Sequence, residues 1–221
     1  MARVASFHLV RHGHAVTAMR RLATDRPHRP DGLVFRRLLG TGRGADTGPG
    51  ADWRRTAVFA VWADEAALDA HLRAVTGRRG VTERYDVRLR RVGGHGSWRG
   101  VDVLADLAPG SDAGPIAVLT RADVRARAWR PFRAAGPPVS VELGAAEGLL
   151  AAVGVGELPV GRLGTFSVWS GLAAMRSFSA SSAHRDVVRR TRAERWYGEE
   201  LFARFEPYGS SGTWDGGDPL A

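Results

Sequence analysis

The chain of 221 residues contains no cysteine. Disulfides, thiolate haem ligation, zinc–thiolate sites and iron–sulfur clusters are therefore excluded together. Lysine, asparagine and glutamine are also missing, and Ile116 is the lone isoleucine. All 32 residues in the Lys+Arg count are thus arginine, and the formal net charge is +9. A very GC-rich coding sequence produces that bias, so the charge argues weakly for nucleic acid and no such partner is expected. The arginines suit bidentate contact with carboxylates instead. Long apolar runs are lacking too. His8, Arg11, His12 and His14 break the N-terminal apolar segment, and no stretch approaches the roughly 20 apolar residues that span a bilayer. A cytoplasmic protein is expected, with a peripheral membrane contact left open for a lipid-like substrate.

What is present is ordinary in amount, with 44% hydrophobic residues and length enough for a sizeable core. It is repeated in order. Phe59-Ala60-Val61-Trp62, followed by a helical-looking Asp64–Val75, is matched by Phe166-Ser167-Val168-Trp169 and a helical-looking Gly171–Phe178. Upstream of each lies a glycine pair, Leu39-Gly40-Thr41-Gly42 and Val153-Gly154-Val155-Gly156. Downstream come Ser97-Trp98-Arg99-Gly100 and Thr213-Trp214-Asp215-Gly216. Leu9-Val10-Arg11 is echoed by Leu119-Thr120-Arg121. Four markers in the same order point to duplication.

Each half reads strand, helix, strand, strand, helix, strand, which is the ferredoxin-like order. First strands fall at Ala5–Val10 and Ile116–Thr120, with helices over Val16–Ala23 and Arg121–Ala134. Thr56–Trp62 and Gly164–Trp169 read as buried strands, and Tyr85–Val92 alternates as a strand with one wet face. Gly40–Gly50 reads as a flexible loop and Ala108–Pro115 as a linker. The second half adds Ser179–Phe205, read as helical up to Gly198 and again over Glu199–Phe205. The expected fold is α+β, with tandem ferredoxin-like halves over 1–108 and 109–221 forming a pseudo-dimeric α/β barrel.

Trp196-Tyr197-Gly198-Glu199-Glu200-Leu201-Phe202-Ala203-Arg204-Phe205 resembles the C-terminal half of the spheroidene monooxygenase family. So do Phe166-Ser167-Val168-Trp169, the helical Ala183-His184-Arg185 and the closing Gly212-Thr213-Trp214-Asp215-Gly216. Leu39-Gly40-Thr41-Gly42-Arg43-Gly44 and Ala60-Val61-Trp62 match in the first half. The resemblance covers nearly the whole chain. It implies a haem b iron oxygenase that introduces a keto group into an acyclic carotenoid, fed by an electron-donor protein or reductant. Dehydration or N-oxidation at the same haem is the chemical alternative, as is a haem carrier without turnover. A homodimer is left open.

Without cysteine, haem iron needs His, Met or Tyr. The resemblance assigns His184, on a stripe with Val187, Val188 and Thr191, as iron ligand; the plain reading is a histidine on a solvated, arginine-rich helix. Phe166, Trp169, Val188, Arg189 and Trp196 are the expected haem contacts, although aromatics at such positions commonly serve as core. Thr41 and Arg43 are the candidate catalytic hydrogen-bond donors over the iron. Two rivals remain in the first half. Leu9-Val10-Arg11-His12-Gly13 resembles a histidine phosphatase signature, with His95 as the second histidine. His8, His12 and His14 have a period suited to a metal, but Gly13 breaks the strand.

Overall fold

The computed structural model describes residues 2–24, 30–44, 50–157 and 161–221. Among them run β1 (Val4–His12), α1 (Ala15–Ala23), β2 (Leu33–Gly42), β3 (Ala51–Trp62), α2 (Glu65–Val75) and β4 (Val81–Gly96). Then come β5 (Ile116–Val124), α3 (Trp129–Gly144), β6 (Leu149–Gly156), β7 (Arg162–Trp169), α4 (Leu172–Ser179), α5 (Ser182–Glu194) and β8 (Tyr197–Gly212). The class is α+β. Hydrogen bonding orders the strands β4-β1-β3-β2 in the first half and β8-β5-β7-β6 in the second, the split ferredoxin-like order twice over. All these pairings are antiparallel. Two seams, β4–β8 and β2–β6, close the ring.

The seams obey the repeat. Thr41 pairs with Val155 and Gly40 with Gly156, so the two glycine-pair markers meet each other. At the other seam Tyr85 pairs with Gly212 while Gly96 pairs with Leu201. Along β1, Ala5, Phe7 and Leu9 enter the barrel core, while Val4, Ser6 and His8 are buried on the opposite face. Burial on both faces explains why such strands read as near-continuous apolar runs rather than alternating ones.

An eight-stranded ring leaves room only for side chains. Phe7 and Phe166 stack at its centre, 3.8 Å between centroids, one from each half. Trp98 stacks on Phe59 at 5.6 Å and Trp214 on Phe166 at 6.3 Å. Each tryptophan turn is held by a glutamate of the opposite half. Glu199 accepts from the Ser97 hydroxyl and the Gly100 amide, both at 2.7 Å. Glu83 accepts from the Thr213 hydroxyl at 3.2 Å and the Gly216 amide at 2.8 Å. Arg121 pairs with Glu199 as Arg11 pairs with Glu83. Burial pushes the Glu199 carboxyl up, but the Gly100 and Arg99 amides, the Ser97 hydroxyl and the Arg121 guanidinium outweigh it and hold it at about 2.

Three expectations are corrected. The helix expected over Arg121–Ala134 is strand as far as Val124, because Arg121 and Asp123 stay in register with Gly164 and Arg162. The helix begins at Trp129 and runs past the expected end at Ala134 to Gly144, through Pro137 and Pro138. Glu199–Phe205 is not helix but part of β8: Leu201, Ala203 and Phe205 are buried at period two in the core. Finally, Gly40-Thr41-Gly42 ends a strand instead of opening a loop, while residues 45–49 of the expected loop lie outside the described residues.

On the outside of the first half, α2 starts at Asp64, whose carboxylate accepts from the Ala67 amide at 2.9 Å. It presses His71 on Trp62, 4.8 Å between rings. In the second half Phe178 of α4 sits on Trp169 in the same way, at 5.4 Å. Burial, with the neighbouring His8, pushes His71 from 6.5 down to about 4. A lowered histidine contributes stability that is whole above pH 6.5 and declines as pH falls towards 4, where the folded form must also accept the proton. His71→Phe, copying the other half, should therefore flatten the loss of urea-midpoint stability between pH 7 and pH 4.5. Equal acid sensitivity in the variant would reject this account.

Candidate functional site

The two halves differ most on the outer face of the second sheet, under α3, α4 and α5. There a cavity of about 1140 Å³ opens between helices and strands. Val118, Thr120, Thr165, Ser167, Trp169 and Phe202 form its sheet wall. Phe132 and Leu143 of α3, Met175 and Phe178 of α4, and His184, Val187 and Val188 of α5 form its helix wall. The volume exceeds the roughly 300–1,000 Å³ of ordinary small-molecule sites.

α5 is set in place from its first turn. Ser181 at its N-cap makes no side-chain cap of its own. Glu142 of α3 supplies the acceptor instead, taking the Ser182 hydroxyl at 3.0 Å and the Ala183 amide at 3.1 Å. Hydrogen bonds from Ser181 and then from Ala183 hold the Glu142 carboxyl below its ordinary range. A carboxylate at a helix N-terminus also meets the positive end of the dipole. Glu142 was invisible to sequence reasoning because it lies beyond Ala134, where the helix was expected to end.

Two residues further on stands His184. Its Nδ1–H donates to the Ser179 carbonyl at 3.1 Å, and its ring tilts over Phe178 at 5.1 Å. A carbonyl partner can only accept, so Nδ1 carries a proton and Nε2 is the nitrogen whose lone pair the neutral ring presents. Nε2 makes no hydrogen bond to any described residue. That is the arrangement of a metal-ligating histidine, whose second nitrogen is oriented by a backbone carbonyl. Arg185 and Arg192 also line the cavity, and neither makes an ion pair among the described residues. Both are thus available to carboxylates. A largely apolar chamber with the His184 Nε2 lone pair and unpaired guanidinium groups at its wall fits a haem.

The structure brings His184, Trp169, Val188 and Arg189 together on this cavity. It does not bring Phe166, Trp196, Thr41 or Arg43 there. Phe166 points to the opposite face of β7, into the barrel core. Trp196 packs with Ala122, Val124 and Ala128 and donates to Glu194 at 2.8 Å. The Thr41 hydroxyl donates to the Arg55 carbonyl at 3.2 Å at the β2–β6 seam, and Arg43 lies just beyond that seam, exposed.

The first-half histidines find other partners. His12 is buried, with Nε2 3.1 Å from the Thr56 hydroxyl, and Arg11 is engaged by Glu83 at 3.2 Å and Asp215 at 2.5 Å. A phosphate would meet these carboxylates, and the antiparallel ring is not the doubly wound fold that chemistry uses, so the phosphatase reading is overturned. His95 lies on the second-half cavity, away from His12. His8 sits between the Ser6 hydroxyl at 2.8 Å and Asp86 at 2.6 Å. Among the described residues no cluster of His, Asp and Glu is arranged to hold a metal ion.

Barrel and cavity together define an α+β protein with two ferredoxin-like halves and one histidine-bearing apolar chamber. Its fold is shared with aldoxime dehydratases: the crystal structure of one in complex with butyraldoxime has a TM-score of 0.61 at 13% identity, covering 94% of this chain and 80% of that one. A second crystal structure of aldoxime dehydratase has a TM-score of 0.58 at 15% identity, covering 96% and 81%. No family model matches the chain. Spheroidene monooxygenase of Rhodobacter capsulatus is 33% identical over 215 residues, 91% of this chain and 85% of that protein. That of Rubrivivax gelatinosus is 36% identical over 190 residues, 84% and 73%. The Cereibacter sphaeroides enzyme is 33% identical over 201 residues, 84% of this chain but 59% of its own length. The chain belongs to the spheroidene monooxygenase family, whose named members are oxidoreductases.

The placement of Phe166 yields a test. Phe166→Ala should cost about 3–5 kcal/mol of stability, as large-to-small core changes do, while leaving ligand binding in the outer cavity unchanged. A variant of native stability with altered binding would put Phe166 in the site after all.

Proposed function

We propose that the chain is a haem-dependent monooxygenase with His184 as the iron ligand. The observation that carries this reading is the His184 ring, its proton fixed on Nδ1 by the Ser179 carbonyl and its Nε2 lone pair free on the wall of a large apolar cavity. Haem b, once bound, would supply the oxidation: one oxygen atom of O2 would enter the substrate and the other leave as water, with two electrons from a donor and two protons from solvent. The chain supplies the rest. Glu142 fixes the turn of α5 that carries His184. Arg185 and Arg192 offer guanidinium groups to the propionates, with Arg189, paired to Asp186 at 3.0 Å, beside them. Val118, Trp169, Phe178 and Leu143 exclude water and favour an apolar substrate. The named relatives act on spheroidene, and their family membership favours a long, apolar, carotenoid-like substrate here.

The same reading takes the barrel as a pseudo-dimer, its halves over 1–108 and 109–221 joined at two seams of matched register. They share one core, so neither half is expected to fold alone. An electron-donor protein or reductant and a cytoplasmic location complete the proposal. Among the described residues no helix is long and apolar enough to cross a membrane.

The test is spectroscopic. Reconstituted with haem, the purified protein should show a Soret band. His184→Ala should weaken haem binding by more than the roughly 10–100-fold that loss of a supporting partner costs at such sites. No Soret band in the wild type, or an unchanged one in the variant, overturns the assignment. Product analysis with an apolar polyene then separates oxygen insertion from dehydration or N-oxidation.

A further inference from the structure

Beneath the helices, the sheet wall of the cavity carries two threonines side by side. Thr120 of β5 and Thr165 of β7 are register partners, with hydroxyl oxygens 2.8 Å apart. The Thr120 oxygen also accepts from the Thr165 amide at 3.2 Å. Two hydroxyls hold two protons, and their mutual bond uses one. Neither hydroxyl donates to any other described residue. Whichever way the mutual bond runs, one O–H remains free, on a wall shared with Val118, Trp169, Phe202 and the Ser167 hydroxyl, which accepts from Trp169 Nε1 at 2.9 Å.

The first half shows that this is a property of one half only. By strand register, Ser6, His8 and Asp86 stand where Val118, Thr120 and Phe202 stand in the second half. There Ser6 and Asp86 occupy both nitrogens of His8, and Trp62 Nε1 donates to Ser6 at 2.8 Å. That network is closed on itself, beside a pocket of about 120 Å³. The threonine pair is left open, beside one of about 1140 Å³.

We infer that Thr120 and Thr165 form a donor subsite for a ligand atom that accepts a hydrogen bond but carries no proton, on the sheet wall of the cavity that His184 lines. This rests on the haem reading above and adds to it the polar group that selects the ligand. Oxygen without a proton, as in dioxygen or a carbonyl, is the chemical class it takes. The subsite replaces Thr41 and Arg43, whose positions at the β2–β6 seam keep them from the cavity. Either hydroxyl can donate when the other is gone, so the donor of the pair is lost only when both are removed, and Ser167 on the same wall stays as it is.

Fluoride is a suitable probe, because it accepts hydrogen bonds and donates none. Thr120→Val/Thr165→Val, loaded with ferric haem, should bind fluoride roughly 10- to 100-fold more weakly than wild type, the loss of one bond to an anion. Imidazole, which needs no donor, should bind both within about threefold. The double serine variant, which keeps both hydroxyls, should restore fluoride affinity. In wild type the iron–fluoride stretching frequency should shift when water is replaced by D2O, and this reading requires no variant to fold. Unchanged fluoride affinity in a double valine variant that still shows its Soret band, or no isotope shift in wild type, overturns the subsite and leaves the haem assignment standing. Failure of the wild type to take up haem overturns both.

Discussion

Each half of this protein needs a carboxylate from the other to finish its own end of the barrel. Glu199 holds the turn at Trp98, and Glu83 holds the turn at Trp214. An arginine stands behind each glutamate, Arg121 and Arg11. The tryptophans then lie on Phe59 and Phe166, and Phe7 stacks on Phe166 between the halves. These carboxylates are partly withdrawn from water, so removing a partner would leave a charge without compensation, which is far costlier than any exposed pair. The clamps are reciprocal, and the barrel therefore closes as one unit. The outer faces are freed from closing the core and can diverge.

Much of this was legible in sequence. The duplicated markers are the parts that closure fixes: the glycine pairs that meet at a seam, the paired Phe-x-Val-Trp strands and the tryptophan turns. Repetition reveals them because both copies meet the same packing requirement. Helices α1, α2 and α4 were also legible, as helical-looking stretches that follow a strand in each half. The errors fell where local pattern conflicts with tertiary pairing. Glu199–Phe205 has strong helix formers such as Glu, Leu and Ala, yet alternates in burial because β4 and β5 flank it on both sides. Pro137-Pro138 signals a stop, yet α3 runs through it to deliver Glu142.

The site was half legible. His184 could be singled out from its stripe and its family resemblance. Its tautomer could not, since the partner is a backbone carbonyl that leaves no mark in sequence. Phe166 and Trp169 share one motif but point to opposite faces of β7, one into the core and one to the cavity. Only register separates them. Thr41 drew attention because glycine surrounds it, and those glycines prove to serve the seam.

The asymmetry between the outer faces has a simple chemical origin. In the first half, the positions under α2 carry Ser6, His8 and Asp86, which satisfy one another, and His71 fills the space above Trp62. Burial raises the Asp86 carboxyl, but hydrogen bonds from His8 and Arg84 outweigh it and keep the group ionised. Such a network is rigid and leaves no donor over. In the second half the matched positions are apolar or hydroxyl-bearing, the helical layer gains α5, and α3 is tied to α5 through Glu142 while Leu143 and Phe132 pack toward the sheet. Space opens between helix and strand, with an imidazole on one wall and a hydroxyl pair on the other. One copy of a duplicated fold is thus committed to its own polar contacts, and the other leaves an imidazole nitrogen and a hydroxyl proton without a partner among the described residues.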